Sequence, residues 1–288
     1  RRQRQMCIRD SPWREYTMND RVQWSIAAMP SAPWAKKMFP ELDEAAAIEK
    51  LWQLIFDVCR VTGGDPVNEW KAHLDRLTTL GEKMNAFDLE SVHFQSSNGT
   101  DLTVGIADKA LWESAGSKNE KGVFFLPNIP TEEVFTAPHK DKVNGIVYGT
   151  KPYVFNGQLI KDFHVTFKDG RVVEHGAEEG AELLGQLLDT DEGARYVGEF
   201  AIGVNPYVKN AIGDILFDEK ISGSIHFTPG ACYDDAYNGN VSAVHWDLVL
   251  RQTPDVGGGE IYFDDVLIRK DGLFVIPELE CLNPSHLV

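Results

Sequence analysis

Cysteine is scarce, and Cys7, Cys59, Cys232 and Cys281 lie far apart with no Cys-x-x-Cys pair. That spacing excludes a thiolate zinc knuckle and a disulfide framework, and makes a reducing cytosol the expected compartment. No apolar run approaches the ~20 residues of a membrane span, and the opening RRQRQMCIRD has a basic cluster with no apolar stretch behind it. A cytoplasmic location without a membrane partner is the expectation. Positive charge is in deficit, with 28 Lys and Arg against 44 Asp and Glu, a net charge of −16. Such a chain repels nucleic-acid backbones and anionic membranes and suits divalent cations or substrates with a free amine. The 14 prolines and 25 glycines are scattered and no segment repeats, so long disorder is not expected. The 288 residues are enough to bury one large core or two ordinary ones.

Residues 1 to 88 read as mixed and helical. In DEAAAIEKLWQLIFDVCRV, Ile48, Leu51, Trp52, Ile55, Val58 and Cys59 recur at helical spacing behind an acidic first turn. After the loop signal Gly63-Gly64-Asp65-Pro66, Trp70, His73, Leu74, Leu77, Leu80 and Met84 mark a second helix, with His73 read as packed structure. Upstream, VQWSIAAMP reads as a short strand ended by Pro30, followed by a helix around Trp34 to Met38. Beyond residue 88 hairpins take over. Tight turns are expected at Ser97-Asn98-Gly99, Asn156-Gly157, Asp169-Gly170 and Asp271-Gly272, each between alternating apolar runs. One helix is expected from near Gly176 through Leu188, and Gly257-Gly258-Gly259 reads as a loop rather than a phosphate cradle. The expected fold is thus α+β or α/β, with an N-terminal α/β part at 1–88 and a β-rich, largely antiparallel domain at 89–288.

Four places carry candidate chemistry. In SAVHWDLVL, a strand would put His245 and Asp247 on one face with Trp246 on the other, so an imidazole and a carboxylate converge as a metal centre needs. A His–Asp hydrogen bond on a sheet surface is the plain alternative. His226 in SGSIHFTPGACY, unless it is a structural strand histidine, has Tyr233 seven residues on, across a Pro229-Gly230 turn able to fold the phenol back toward the imidazole. Glu132 and Glu133 in LPNIPTEEVFTAPH offer one carboxylate for a metal and one for a proton. The alternative there is Thr131 as N-cap of a short helix with an acidic first turn. Glu199 in ARYVGEFAIG sits where burial would demand a partner, unless it is a surface glutamate. With one of Glu132 and Glu133 as ligand, these make three carboxylates and two imidazoles without sulfur, a donor set suited to zinc, cobalt or manganese.

The strings FLPNIPTEEVFTAPH, LLDTDEGARYVGEFAI, GSIHFTPGACY and NVSAVHWDLVL, in this order, resemble the thermophilic-type metalloaminopeptidases, the family of aminopeptidase T, aminopeptidase S and PepS. The resemblance runs from about Trp24 to near Asn283. It implies two divalent metals per chain in the β-rich domain, held by Glu133, Glu199, His226, His245 and Asp247, with Tyr233 as an active-site tyrosine. Glu133 is preferred to Glu132 because the family's spacing fits Glu133 to Glu199. Glu132 becomes the candidate general base by analogy with other dinuclear peptidases, while His139 and His164 stay structural or at the rim. The implied activity is removal of N-terminal residues from peptides, by a homodimer, through water activated by the two ions. Family members begin with a longer α/β domain, so the chain is expected to be truncated at its N-terminus, with an exposed sheet edge as the consequence. The spacing between Glu199 and His226 is also expected to be slightly short, in the loop Asn205 to Asp218. A catalytically inactive homologue or metal-stabilised binding protein is the first alternative. A metal-free glycoside hydrolase using Glu132 or Glu133 with Glu199 is the second, and it leaves His226 and the His245–Asp247 pair unexplained.

Overall fold

The computed structural model describes residues 16–17, 20–108, 110–114, 116–155, 158–233 and 236–287. The chain divides into two compact units, one of residues 1–75 and 115–131, the other of 76–114 and 132–288. The expected turn at Asn156-Gly157 lies outside the described residues, although the strands on either side of it do pair.

In the first unit, helix Ala32–Met38 and helix Glu44–Val58 form where the apolar spacing requires them. Asp43 caps the second by accepting the Ala46 N–H at 2.9 Å, and Ala47, Leu51, Ile55 and Val58 form its buried stripe. The strand expected in VQWSIAAMP shrinks to Ile26–Ala27, exposed at both residues and paired in parallel with Asn128–Ile129. Helix Pro66–Ala86 begins in this unit. His73 on it is buried against Trp70, with Nε2 3.2 Å from the Thr131 carbonyl, a packed histidine as expected.

The second unit is built from two antiparallel sheets, whose strands are numbered here within the unit. They are β1 (Ser91–Ser96), β2 (Asp101–Ile106), β3 (Glu113–Ser114), β4 (Glu133–Thr136), β5 (Pro138–Tyr148), β6 (Tyr153–Phe155) and β7 (Gln158–Lys168). Then come β8 (Arg171–Glu179), β9 (Val197–Gly203), β10 (Ser224–Pro229), β11 (Leu248–Arg251), β12 (Gly259–Phe263), β13 (Val266–Lys270) and β14 (Leu273–Phe274). The larger sheet runs β6-β7-β5-β2-β1-β12-β13-β14, with β8 also on β7, and the smaller runs β11-β10-β9-β4-β3. The three expected turns within the described residues connect paired strands, at 97–99, 169–170 and 271–272.

Aromatic pairs join the two sheets. Phe94 of β1 stacks on Phe200 of β9 at 5.8 Å, and Phe167 of β7 meets Phe227 of β10 edge-on at 5.9 Å. All four rings are buried, so this is the hydrophobic interior of a sheet-on-sheet packing.

Two expectations change here. The helix foreseen from Gly176 begins only at Ala181, because β8 continues past Gly176, which lies opposite His164, to Glu179. Left-handed Gly180 then ends the strand and starts the helix. The strand foreseen through His245 and Asp247 begins only at Leu248, His245 making a single bridge to Gly230.

Candidate metal centre

The site lies on the face of the smaller sheet opposite its aromatic interior, and cross-strand register decides which side chains reach it. Phe200 pairs with Phe227 and Ile202 with Ile225, so these four share the interior face. The intervening pairs, Glu199 with Thr228 and Ala201 with His226, share the other. Gly203 pairs with Glu133 at the start of β4 and adds that carboxylate to the same face. Ala201 and Gly203 are small, which leaves space among the larger polar groups.

Glu199 is aimed by an irregularity. The ladder shifts register between Val197 and Glu199, and Gly198 fits there because a β-carbon would meet the Ala231 carbonyl oxygen at 2.3 Å. Past β10, Gly230 at φ +117 turns the chain where a β-carbon would strike the Val244 carbonyl at 2.1 Å. That turn brings Tyr233 to His245, its hydroxyl 3.3 Å from Nε2, rather than back to His226 as the sequence suggested.

Five of the predicted residues converge. Glu199 reaches one imidazole with each oxygen: Oε1 is 3.4 Å from His226 Nε2 and Oε2 is 3.3 Å from His245 Nε2. Glu133 Oε2 lies 3.6 Å from His226 Nε2, and Asp247 Oδ1 lies 3.7 Å from His245 Nε2. Glu133, Glu199 and His226 form one group of three whose ligand atoms lie within 4.8 Å of one another, and Glu199, His245 and Asp247 form a second. Each imidazole donates Nδ1–H to a backbone carbonyl, His226 to Glu219 at 3.3 Å and His245 to Ala231 at 2.8 Å. Those bonds fix the rings with Nε2 toward the carboxylates, the orientation a metal ligand requires. Thr228 donates its hydroxyl to Asp247 Oδ1 at 2.5 Å and orients that carboxylate. The nitrogen-and-oxygen donor set fits one or more divalent ions.

Glu132 stands apart from both groups. It is 1% exposed, its Oε2 accepts Asn205 Nδ2–H at 2.7 Å, and its carbonyl accepts the Val204 N–H. The helix alternative for residues 131 to 133 is not realised, since Glu133 opens a strand. His139 accepts the Asp141 N–H through Nδ1, and His164 packs against Tyr148, so neither joins the cluster.

Two residues escaped the sequence reading. Glu219 and Lys220, in the charged run Phe217-Asp218-Glu219-Lys220-Ile221, carried no reading in the sequence and are buried. Lys220 Nζ lies 3.3 Å from Glu133 Oε1 and is hydrogen-bonded to the Glu219 carboxylate. The only local signal was a charged triplet flanked by apolar residues without a turn former.

The electrostatics follow from burial among opposite charges. Burial opposes charge on His226, but its bond to Glu199 and the field of Glu133 and Asp247 lift its pKa to about 10. The same balance lifts His245 to about 9. Burial opposes ionisation of Glu199, yet the two imidazoles pull it down to about 2. Burial pushes Glu219 up to about 8, and Lys220 is held above its ordinary value because Glu133 and Glu219 outweigh its desolvation. Burial and then the Glu199 charge raise the Tyr233 phenol well above its ordinary value, so it stays a donor at neutral pH.

The family model for thermophilic metalloprotease (M29) matches residues 1–274. The chain belongs to this family. Aminopeptidase T of Thermus aquaticus is 43% identical over 254 residues, covering 82% of this chain and 62% of that protein. Aminopeptidase 2 of Geobacillus stearothermophilus is 38% identical over 272 residues, covering 90% and 65%. The structure of wild-type AmpT from Thermus thermophilus superposes with a TM-score of 0.78 at 32% identity, covering 91% of this chain and 67% of that one. This chain therefore spans somewhat under two thirds of these two sequence relatives. M29 membership implies a divalent metal cofactor, and the two triads are groups able to hold an ion.

Proposed function

We propose that the chain carries the active site of a metal-dependent aminopeptidase that removes N-terminal residues from peptides. The observation that carries this reading is the pair of three-ligand groups joined by Glu199, in a chain of the M29 family. Glu133 and His226 would hold one ion, His245 and Asp247 a second, and Glu199, common to both groups, would serve both. Zinc, cobalt and manganese all suit this donor set. When bound, a pair of such ions polarises a carbonyl and lowers the pKa of water toward neutrality.

The chain's own groups supply the rest. Tyr233, protonated and placed beside His245, donates its O–H to the oxygen on which charge develops at the scissile carbonyl. Glu132, positioned by Asn205, is the proposed proton acceptor and returns the proton to the leaving amine. The carboxylate excess attracts the free α-amine of the substrate. The reading includes a cytoplasmic homodimer, as the family resemblance implies, with no nucleic-acid or membrane partner.

The test is metal content by elemental analysis after cobalt or zinc loading and desalting, with hydrolysis of aminoacyl anilides beside it. Wild type is expected to carry about two ions per chain and to cleave the anilide, and Glu133→Ala to lose about one ion and turnover. Folded wild-type protein with no bound metal would sink the reading. A Glu132→Gln variant that keeps both ions and full turnover would remove Glu132 from its role.

A further inference from the structure

The two ligand triads have the same composition: one carboxylate of their own, one imidazole of their own, and shared Glu199. Their surroundings differ. Beside Glu133 sits Lys220, fully buried, with Nζ 3.3 Å from Glu133 Oε1. Its backbone is held on both sides, its N–H by the Phe217 carbonyl at 3.0 Å and its carbonyl by the Asn205 N–H at 2.8 Å. Its ammonium is bonded to Glu219 as well, so it is not free to swing away. Among the described residues, the second triad's own groups are hydrogen-bonded by the hydroxyls of Thr228 and Tyr233, and no lysine or arginine pairs with its carboxylates. Among the described residues, Glu199 and Asp247 make ion pairs with the two imidazoles alone.

Two consequences follow from this asymmetry. Glu133 has one oxygen committed to Lys220 and the other directed at His226, so it can offer a metal only Oε2. A fixed cation next to a divalent ion also repels it. We propose that Lys220 is a built-in cation that limits Glu133 to one-oxygen ligation. It thereby makes the metal position of Glu133, Glu199 and His226 weaker than that of Glu199, His245 and Asp247. This rests on the dinuclear reading above. Lys220 acts through Glu133 and is a positioning residue. The asymmetry gives the site one exchangeable and one resident ion, so that at limiting metal the chain holds a single ion on His245 and Asp247.

The experiment is a competition titration of the full, metal-stripped chain with cobalt against a chromophoric chelator, with circular dichroism to verify folding. Wild type is expected to show two binding events separated by about tenfold or more, the range in which groups behind metal ligands usually act. Lys220→Met combined with Glu219→Gln removes the buried pair together. It is expected to tighten the weaker event about tenfold and leave the tighter one unchanged. Lys220→Met alone removes the ammonium and is expected to tighten the weaker event as the double variant does, while Lys220→Arg keeps the separation. These single variants decide the matter if the double variant does not fold. Two equal events in wild type, or variants that shift both events together or neither, would overturn the proposal and leave the dinuclear reading standing. No cobalt bound by folded wild type would overturn both.

Discussion

Replacing Glu199 by glutamine removes one negative charge from between two imidazoles whose Nε2 atoms lie 3.4 and 3.3 Å from its oxygens. With an effective dielectric of about 20, each such contact is worth about 5 kcal/mol of direct attraction. Desolvation offsets much of this, and breaking a buried pair by removing one partner typically destabilises by ~3–5 kcal/mol. For metal-stripped protein at pH 7, Glu199→Gln is therefore expected to lower the urea midpoint by ~1–2 M, for a slope of about 2–3 kcal/mol/M. Tryptophan fluorescence reports this unit through Trp112 and Trp246, both buried. The pH dependence identifies the cause. His226 and His245 have folded values raised to about 10 and about 9, so their contribution is full below their ordinary 6.5 and is lost as pH rises through 9 to 10. Glu199 is depressed to about 2, so its own contribution holds above its ordinary 4.5 and is lost only as pH falls through 2. The gap between wild type and Glu199→Gln must then close, or change sign, by pH 10.5. A gap of equal size at pH 7 and pH 10.5 would refute the ion-pair account and assign the effect to packing.

Loading the stripped protein with zinc at pH 7.5 should release about two protons, because both imidazoles are cationic without metal and must be neutral to ligate. Calorimetry in two buffers of different ionisation enthalpy measures this, and release near zero would contradict it. Tyr233→Phe should keep full metal content and lower kcat by ~100- to 1,000-fold, the usual loss of one oxyanion donor, as read by steady-state kinetics beside elemental analysis. Phe200→Ala should destabilise the sheet-on-sheet core by ~3–5 kcal/mol, because Phe200 is fully buried between Phe94 and Trp112. Chemical denaturation measures it, and a loss under 1 kcal/mol would show that the core repacks around the gap.

The elements legible in the sequence are those set by local chemistry. Asp43 followed by apolar residues at helical spacing made a capped helix, and Asp169-Gly170 between alternating runs made a hairpin. A turn former or a cap needs only its neighbours in the chain. The five converging residues were legible for a different reason, since each stands in a string that resembles a known family. Local pattern alone left every one of them open to a structural alternative. It also misplaced two boundaries, because β7 pairing carried β8 past Gly176 and the bridge to Gly230 left His245 outside a strand.

Composition and spacing by themselves determined a helical start, an antiparallel β-rich remainder, and the absence of a paired-cysteine metal site. Tertiary structure alone decided which faces those donors share. Glu133, Glu199 and His226 are separated by tens of residues, and only the register of β4, β9 and β10 turns them toward one point. The same is true of Lys220. In the sequence it belongs to a charged triplet, and its burial against Glu133 comes from the return of residues 219–221 along Asn205, a contact no local pattern encodes. Local interactions specify torsions, whereas a buried charge is specified by partners that are distant in the chain.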